Sequence, residues 1–409
     1  MNCIQRYKWL LIPLTGAAIL CLALGIRQTF GLFLPVMTSD LGISREVFAL
    51  AIAYQNLLWG FVQPLIGMVS DRFGAGRVIT LGGLFYIGGL LLMSQAEGVW
   101  ALNLGAGLLV GLGLSATGFA VVLGAVGRLV TDKQRNVALA LASAGGSFGQ
   151  FIMIPISQGI LSRYGWQTTF VLFSVFLLLL APLAIVIRNR GSSAAVIGSP
   201  TSLAGSPVVA LREAFSHRGY KLLTLGFFVC GFHVVFIAVH LPAYLRDLGF
   251  SPKLGATALM LIGLTNIIGT YTWGHLGGYF RKKRALSLLY GIRSLILLSF
   301  ILLPKTEVTV IAFAVCMGAT WLGTVPLTSG LVAQLFGARY LSTLFGVVFL
   351  GHQLGAFLGA WLGGWVFDNT GSYDSVWILA CVLSVFATLI HLKIDDEPVL
   401  VAQPVADPV

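Results

Sequence analysis

A run of about twenty apolar residues, enough for one helix to cross a bilayer, recurs along this chain. Parsed at that length the sequence holds about twelve candidate spans, roughly 9–36, 46–69, 77–95, 99–123, 136–160, 166–188, 220–245, 255–278, 285–304, 308–332, 342–366 and 374–393. The fifth and eleventh begin weakly because they are rich in Gly and Ser. Hydrophobic residues make up 57% of the 409 and charged residues 10%, and mean hydropathy is +0.92. A soluble protein of this size could not keep its surface so poor in charge. The expected class is an all-α membrane protein. Arg6 and Lys8 precede the first run, but it is span-length and lacks a clear small-residue cleavage site, so it reads as an uncleaved helix. Of five cysteines, Cys21, Cys230, Cys316 and Cys381 fall in spans, where Cys usually serves as a small apolar filler; with Cys3 they show no pairing or metal spacing.

The net charge of +11 would point to nucleic acid in a soluble protein. Its distribution gives another reason. With both termini inside, the inner loops and tails carry Arg6, Lys8, Arg72, Arg77, Arg128, Lys133, Arg135, Arg188, Arg190, Arg212, Arg218, Lys221, Arg281, Lys282, Lys283, Arg284, Arg339 and Lys393. The outer loops carry Arg45, Arg163, Arg246, Lys253 and Lys305. This asymmetry is the positive-inside rule. It places both termini in the cytoplasm, expects an integral plasma membrane protein of the bacterial inner membrane, and makes a nucleic-acid partner unnecessary.

Residues 189–217, "NRGSSAAVIGSPTSLAGSPVVALREAFSH", break the apolar rhythm with Ser, Gly and Pro. They read as a cytoplasmic linker ending in a short interfacial helix near Leu211–Phe215. Weak repetition flanks it. "GMVSDRFGAGR" (67–77) follows the second span and "GHLGGYFRKKR" (274–284) the eighth. Arg135 opens the fifth and Arg339 the eleventh. The expected organisation is a six-helix bundle over 1–188, the linker, a second bundle over 218–394 and a cytoplasmic tail over 395–409. Such paired halves follow the repeat logic of secondary transporters, whose site lies between them at the midplane.

"GMVSDRFGAGR" resembles the signature loop G-x-x-x-D-R-x-G-x-x-R of the major facilitator superfamily, and the resemblance covers essentially the whole chain. It implies twelve transmembrane helices in two pseudo-symmetric bundles and alternating access. It also implies a conformational latch of Gly67, Asp71, Arg72 and Arg77. Gly67 would permit close helix approach. Asp71 would meet the N-terminus of helix eleven, where its charge is favourable, latching the outward-facing state. Arg72 and Arg77 would anchor to anionic lipid headgroups. The second-half copy has no Asp at the matching place.

A narrower resemblance is to the bacterial monocarboxylate and oxalate/formate-type porters. "KQRNVALALASAGGSFG" (133–149) is similar to their helix-five pattern, and Arg27 falls where they carry a helix-one lysine. Two features depart from the pattern. The acidic-Gly motif before helix one is absent, and the helix-eight Asp and Arg align approximately with Asn266 and Thr270.

Polar residues concentrate in particular spans, as cavity-lining helices would require. Gln55, Trp59 and Gln63 share a face of the second at i, i+4, i+8. The fifth carries Ser143, Ser147 and Gln150, the eighth Asn266, Thr270 and Trp273, the tenth Trp321, Thr324 and Thr328, and the eleventh His352 beside Gln353. Any one Ser or Thr is more often a helix-packing residue than a ligand. Arg27 is different. A charge at that depth costs about 2.5–3.5 kcal/mol on insertion scales, and no Asp or Glu lies deep in any span. Its partner is expected to be an anionic cargo; the alternatives are structural pairing with carbonyls or Gln side chains, and snorkelling to the outer interface. Arg293, in "LYGIRSLILL", reads as structural or snorkelling.

The substrate-binding set is therefore Arg27, Gln55, Trp59, Gln150, Asn266, Trp321, His352 and Gln353. Without carboxylates, His352 and His233 are the candidates for proton coupling; proton symport and anion exchange both satisfy the pattern. No Walker loop, nucleophile–base pair or metal spacing is present, so no enzyme activity, cofactor or metal is expected. The expected function is proton-coupled secondary transport of a small organic anion, a monocarboxylate, by a monomer among membrane lipids. The alternatives are a proton-driven efflux carrier for amphipathic molecules and a non-transporting membrane sensor.

Overall fold

The computed structural model describes residues 8–188, 207–337 and 341–398, except the side chains of Lys8, Asp71, Asp132, Lys133, Asn136, Pro207, Val208 and Ser342. Among the described residues all regular structure is helical. Water is absent from a bilayer core, so apolar runs of this length pair their backbone groups within helices. The helices are α1 (Leu11–Gln28), α2 (Phe30–Leu41), α3 (Arg45–Phe73), α4 (Ala75–Ser94), α5 (Val110–Thr117), α6 (Phe119–Leu129), α7 (Asp132–Leu177), α8 (Leu180–Val186), α9 (Pro207–Ser216), α10 (Arg218–Asp247), α11 (Pro252–Tyr279), α12 (Lys282–Leu302), α13 (Glu307–Ala319), α14 (Thr324–Phe336), α15 (Leu341–Thr370) and α16 (Asp374–Leu392). A helical turn at Val99–Leu102 and a π-helical stretch at Asn103–Leu109 lead into α5. Helix α9 stands where the interfacial helix was expected; linker residues 189–206 lie outside the described residues.

Among the described residues eleven helical segments are long and apolar enough to cross a membrane. All but one coincide with single predicted spans. Val137–Val186, at 50 residues, covers both 136–160 and 166–188. Within it Gly165 has φ 76°, a backbone conformation open to glycine at little steric cost. The chain reverses there. Gly145 and Gly149, spaced i, i+4, press onto the α1 backbone at Ala17 and Cys21. The Trp166 indole then donates to Asp40 in the last turn of α2 (2.8 Å), and Ala184 and Arg188 return to Gly76 at the start of α4.

Among the described residues spans are broken at Thr29 between α1 and α2, at Gly118 between α5 and α6, at Leu178–Leu179 between α7 and α8, and over Thr320–Gly323 between α13 and α14. A break frees backbone groups that side chains must satisfy. Polar residues gather at the first, second and fourth of these places.

The end where α3 begins and α10 and α15 finish is called outer, following the charge asymmetry. There Arg45 forks onto both carboxylate oxygens of Asp247 (2.6 and 2.6 Å) and lies over the Phe367 ring (3.6 Å). Asp368 accepts from the backbone N–H of Arg45 (3.2 Å) and of Glu46 (2.7 Å). The Trp361 indole donates to Glu46 (2.9 Å).

At the other end the expected tail begins with ordered contacts. Asp396 is buried, paired with Arg281 and with Lys283 (3.2 Å), and its carbonyl accepts from Gln334 (2.8 Å). The Arg281 guanidinium holds the Asp396 carboxyl below the usual carboxylate range. A carboxyl depressed on folding stabilises above its unfolded value, about 4, and loses that contribution as pH falls through the folded value. Asp396→Asn is expected to lower the melting temperature in detergent at neutral pH, and the gap to the parent protein should close below about pH 4. A gap that persists in acid would assign the loss to packing instead.

Candidate functional site

Arg27 occupies the last turn of α1, where the helix dipole favours a cation. It is 8% exposed, so it does not snorkel. One Nη donates to Asn56 Oδ1 (2.5 Å) and the other to Gln28 Oε1 (3.3 Å), while Nε has no partner. Among the described residues no carboxylate pairs with it. The Trp59 ring lies 5.9 Å away. Neutral amides thus hold the guanidinium without cancelling its charge. The expected alternative of structural pairing is realised in part, by Asn56 and Gln28.

Asn56 escaped the sequence reading. The stripe Gln55, Trp59, Gln63 follows i, i+4, i+8, but Asn56, Trp59, Gln63 follow i, i+3, i+7, an equally good helical face. The structure uses the second. Asn56 is fixed by its own bond to Ile52 O (2.7 Å). Gln55 turns the other way and donates to Ala106 O (2.9 Å), leaving its Oε1 unpartnered.

Trp59 carries the site toward the second half of the chain. Its indole donates to Gln63 (2.5 Å) and its ring meets Phe349 of α15 edge-on at 5.8 Å. Phe349 stacks on His352 (5.7 Å, 5°). His352 Nδ1 shares a hydrogen bond with Gln353 Oε1 (3.2 Å). Gln353 packs on Gly60, one residue from Trp59, and its Nε2 has no partner. Arg27, Trp59, His352 and Gln353 are therefore brought together through Phe349.

Gln150 and Asn266 form a separate seam between α7 and α11. Gln150 donates to Leu259 O (3.0 Å). Asn266 donates to Ser147 (2.9 Å) and accepts from Thr270 (2.9 Å) and from the backbone N–H of Leu322 (3.0 Å). Asn266 thus ties α7 to the break after α13. Trp321 sits in that break, fully buried, its indole N–H unpartnered.

Arg293 is fully buried and does not snorkel. Its guanidinium donates to the Thr320 carbonyl and to the Trp321 carbonyl (3.0 Å). His233 faces away from His352, bonded through Nε2 to Ala380 O of α16 (2.7 Å). Among the latch residues, Arg72 and Arg77 are exposed. Nothing among the described residues stands within 4 Å of a side chain at Gly67. The Asp71 side chain lies outside the described residues.

Comparisons with known proteins point one way. The sequence profile of the Major Facilitator Superfamily matches residues 16–359. Monocarboxylate transporter 13 of Bos taurus is 26% identical over 369 residues, covering 88% of this chain and 83% of that protein. The uncharacterized MFS-type transporter YcxA of Bacillus subtilis is 24% identical over 411 residues, covering 94% of each. A crystal structure of nucleoside transporter NupG, at 13% identity, superposes with a TM-score of 0.75 over 94% of this chain and 99% of that one, a likeness of fold.

Proposed function

The chain belongs to the major facilitator superfamily of membrane transporters, and from that premise we propose that it carries a small organic anion, a monocarboxylate, by proton-coupled alternating access. It is an integral membrane transporter and not an enzyme. The observation that carries the substrate class is Arg27: a buried guanidinium at a break in the first span, held by amides, with no carboxylate partner among the described residues. A planar fork of this kind matches a carboxylate. Relatives at about 25% identity that are named monocarboxylate transporters support the reading.

In this reading the reversal at Gly165 makes twelve crossings, six over 1–188 and six over 218–394, joined by the linker 189–217 and followed by a tail at 395–409. Both termini lie in the cytoplasm, the membrane is the bacterial inner membrane, and the unit is a monomer without a nucleic-acid partner. Arg27 clamps the carboxylate. Trp59, His352 and Gln353 line the same site, with Gln353 Nε2 a free donor. Gln55, Gln150, Asn266 and Trp321 act one layer out, by fixing the helices, and His352 rather than His233 faces the anion.

A thermal-shift screen of small organic acids at two pH values tests this. A monocarboxylate is expected to raise the melting temperature of the parent protein and to have no effect on Arg27→Ala. A hit that survives in Arg27→Ala would remove the arginine from the site.

A further inference from the structure

Cys230 of α10, Arg293 of α12 and His352 of α15 meet behind the candidate anion site, and we propose that they form its proton-binding site, with Cys230 as the acid. This deepens the proposed function and rests on it. Arg293 is enclosed, with Nε unpartnered and one Nη 3.9 Å from Cys230 Sγ. Among the described residues no carboxylate reaches it. A buried cation without a counter-charge is strongly unfavourable, because its lost hydration is not replaced. The backbone carbonyls it touches are dipoles and cannot lose a proton; the thiol can. Thr324 Oγ1 lies 3.1 Å from Sγ, placed to donate to a thiolate. The His352 ring packs on Phe227 of α10 (4.8 Å) and its carbonyl on Gly231, next to Cys230; its Nδ1 is occupied by Gln353, and its other ring nitrogen is left to relay a proton.

The other titratable neighbours are occupied. Tyr290 of α12 donates to Gly226 O (2.8 Å), and His391 of α16 stacks on Tyr290 (5.0 Å) and bonds Ala387 O (2.7 Å). His233, one turn along α10, is bonded to Ala380 O. The charges balance. The empty carrier holds Arg27 as a free cation beside a neutral thiolate–Arg293 pair. The loaded carrier holds a neutral carboxylate–Arg27 pair beside a free Arg293 cation and a thiol. The proton comes from bulk water through His352 onto sulfur, and no electron moves. Net charge at depth is the same in both, so the empty and the loaded carrier meet the same penalty in reorienting. Phe349, edge-on to Trp59 and stacked on His352, joins the two sites.

Two measurements test this. In a protein whose sole cysteine is Cys230, with Cys3, Cys21, Cys316 and Cys381 each replaced by Ser, the infrared S–H stretch is expected at about pH 5 and lost by about pH 8. With Arg293→Gln added, the band should remain at the higher pH. In proteoliposomes, one pH unit supports about tenfold accumulation for one proton per anion. Cys230→Ser should reduce this to equilibration and Cys230→Asp should recover it. An S–H band unchanged across that range, or full gradient-driven accumulation by Cys230→Ser, would overturn the proposal. A titrating, Arg293-dependent band in a protein that carries no organic acid would support the proton site and overturn the anion reading.

Discussion

Arg27→Met is expected to abolish anion uptake while raising the melting temperature of the empty protein. The two effects have one cause. The empty protein keeps a guanidinium in a site 8% exposed, paired with neutral amides only. Replacing a buried ionic group with a well-packed apolar one is often neutral or stabilising, by about 1–4 kcal/mol. A carboxylate entering the Arg27→Met variant meets no cation and loses its water. Breaking a buried pair by removing one partner costs about 3–5 kcal/mol, about 100- to 5,000-fold in uptake at low substrate. Arg27→Lys keeps the charge but loses the planar fork and the bond geometry to Asn56, so an intermediate loss of about tenfold is expected. Counterflow uptake in proteoliposomes and thermal unfolding read the two effects separately. A variant that unfolds or loses stability would make Arg27 a structural clasp for Asn56 and Gln28 instead.

The helices were legible because hydrocarbon leaves the backbone no alternative. Every predicted span is helical, and the apolar runs mark span ends to within a few residues. Breaks were harder. The first span runs on to Leu41 past a break at Thr29, because Thr and Gly there read equally well as packing residues. Arg27 was legible from its cost alone. Its partner was not: Gln55 and Asn56 are adjacent, and only the facing helix decides which amide looks inward. Arg293 and Cys230 show a further limit. "LYGIRSLILL" and "FFVCGFHVV" are ordinary apolar strings. What gives them chemistry is the break at Thr320–Gly323, which supplies carbonyls to the guanidinium from another helix. Nothing local to either string encodes that meeting.

Asp368→Asn combined with Arg45→Gln is expected to open the outer end. Asp368, near the end of α15, accepts from two backbone N–H groups at the N-terminus of α3, where the helix dipole adds to the attraction. Arg45 binds Asp247 at the end of α10. Hydrogen bonds to a charged acceptor contribute about 1.5–3 kcal/mol, and a partly exposed ion pair adds about 1 kcal/mol at most. Losing both should shift the equilibrium between closed and open outer ends by roughly 10- to 1,000-fold. Spin labels at Ser39 and Lys253, both exposed near the outer end, would report it as a longer-distance population in pulsed dipolar spectroscopy. The geometry also gives the motion a symmetry. The latch that the signature loop implies would set Asp71, near the end of α3, against the N-terminus of α15. The observed outer contact sets Asp368, near the end of α15, against the N-terminus of α3. With that latch, one helix pair would offer a carboxylate to the partner's dipole at either end, and rocking about the crossing at Gly60 and Gln353 would exchange one contact for the other. Asp71→Asn should therefore move the same distance distribution toward the closed outer end. If both variants moved it in one direction, or neither moved it, the two contacts would not be opposing halves of one switch.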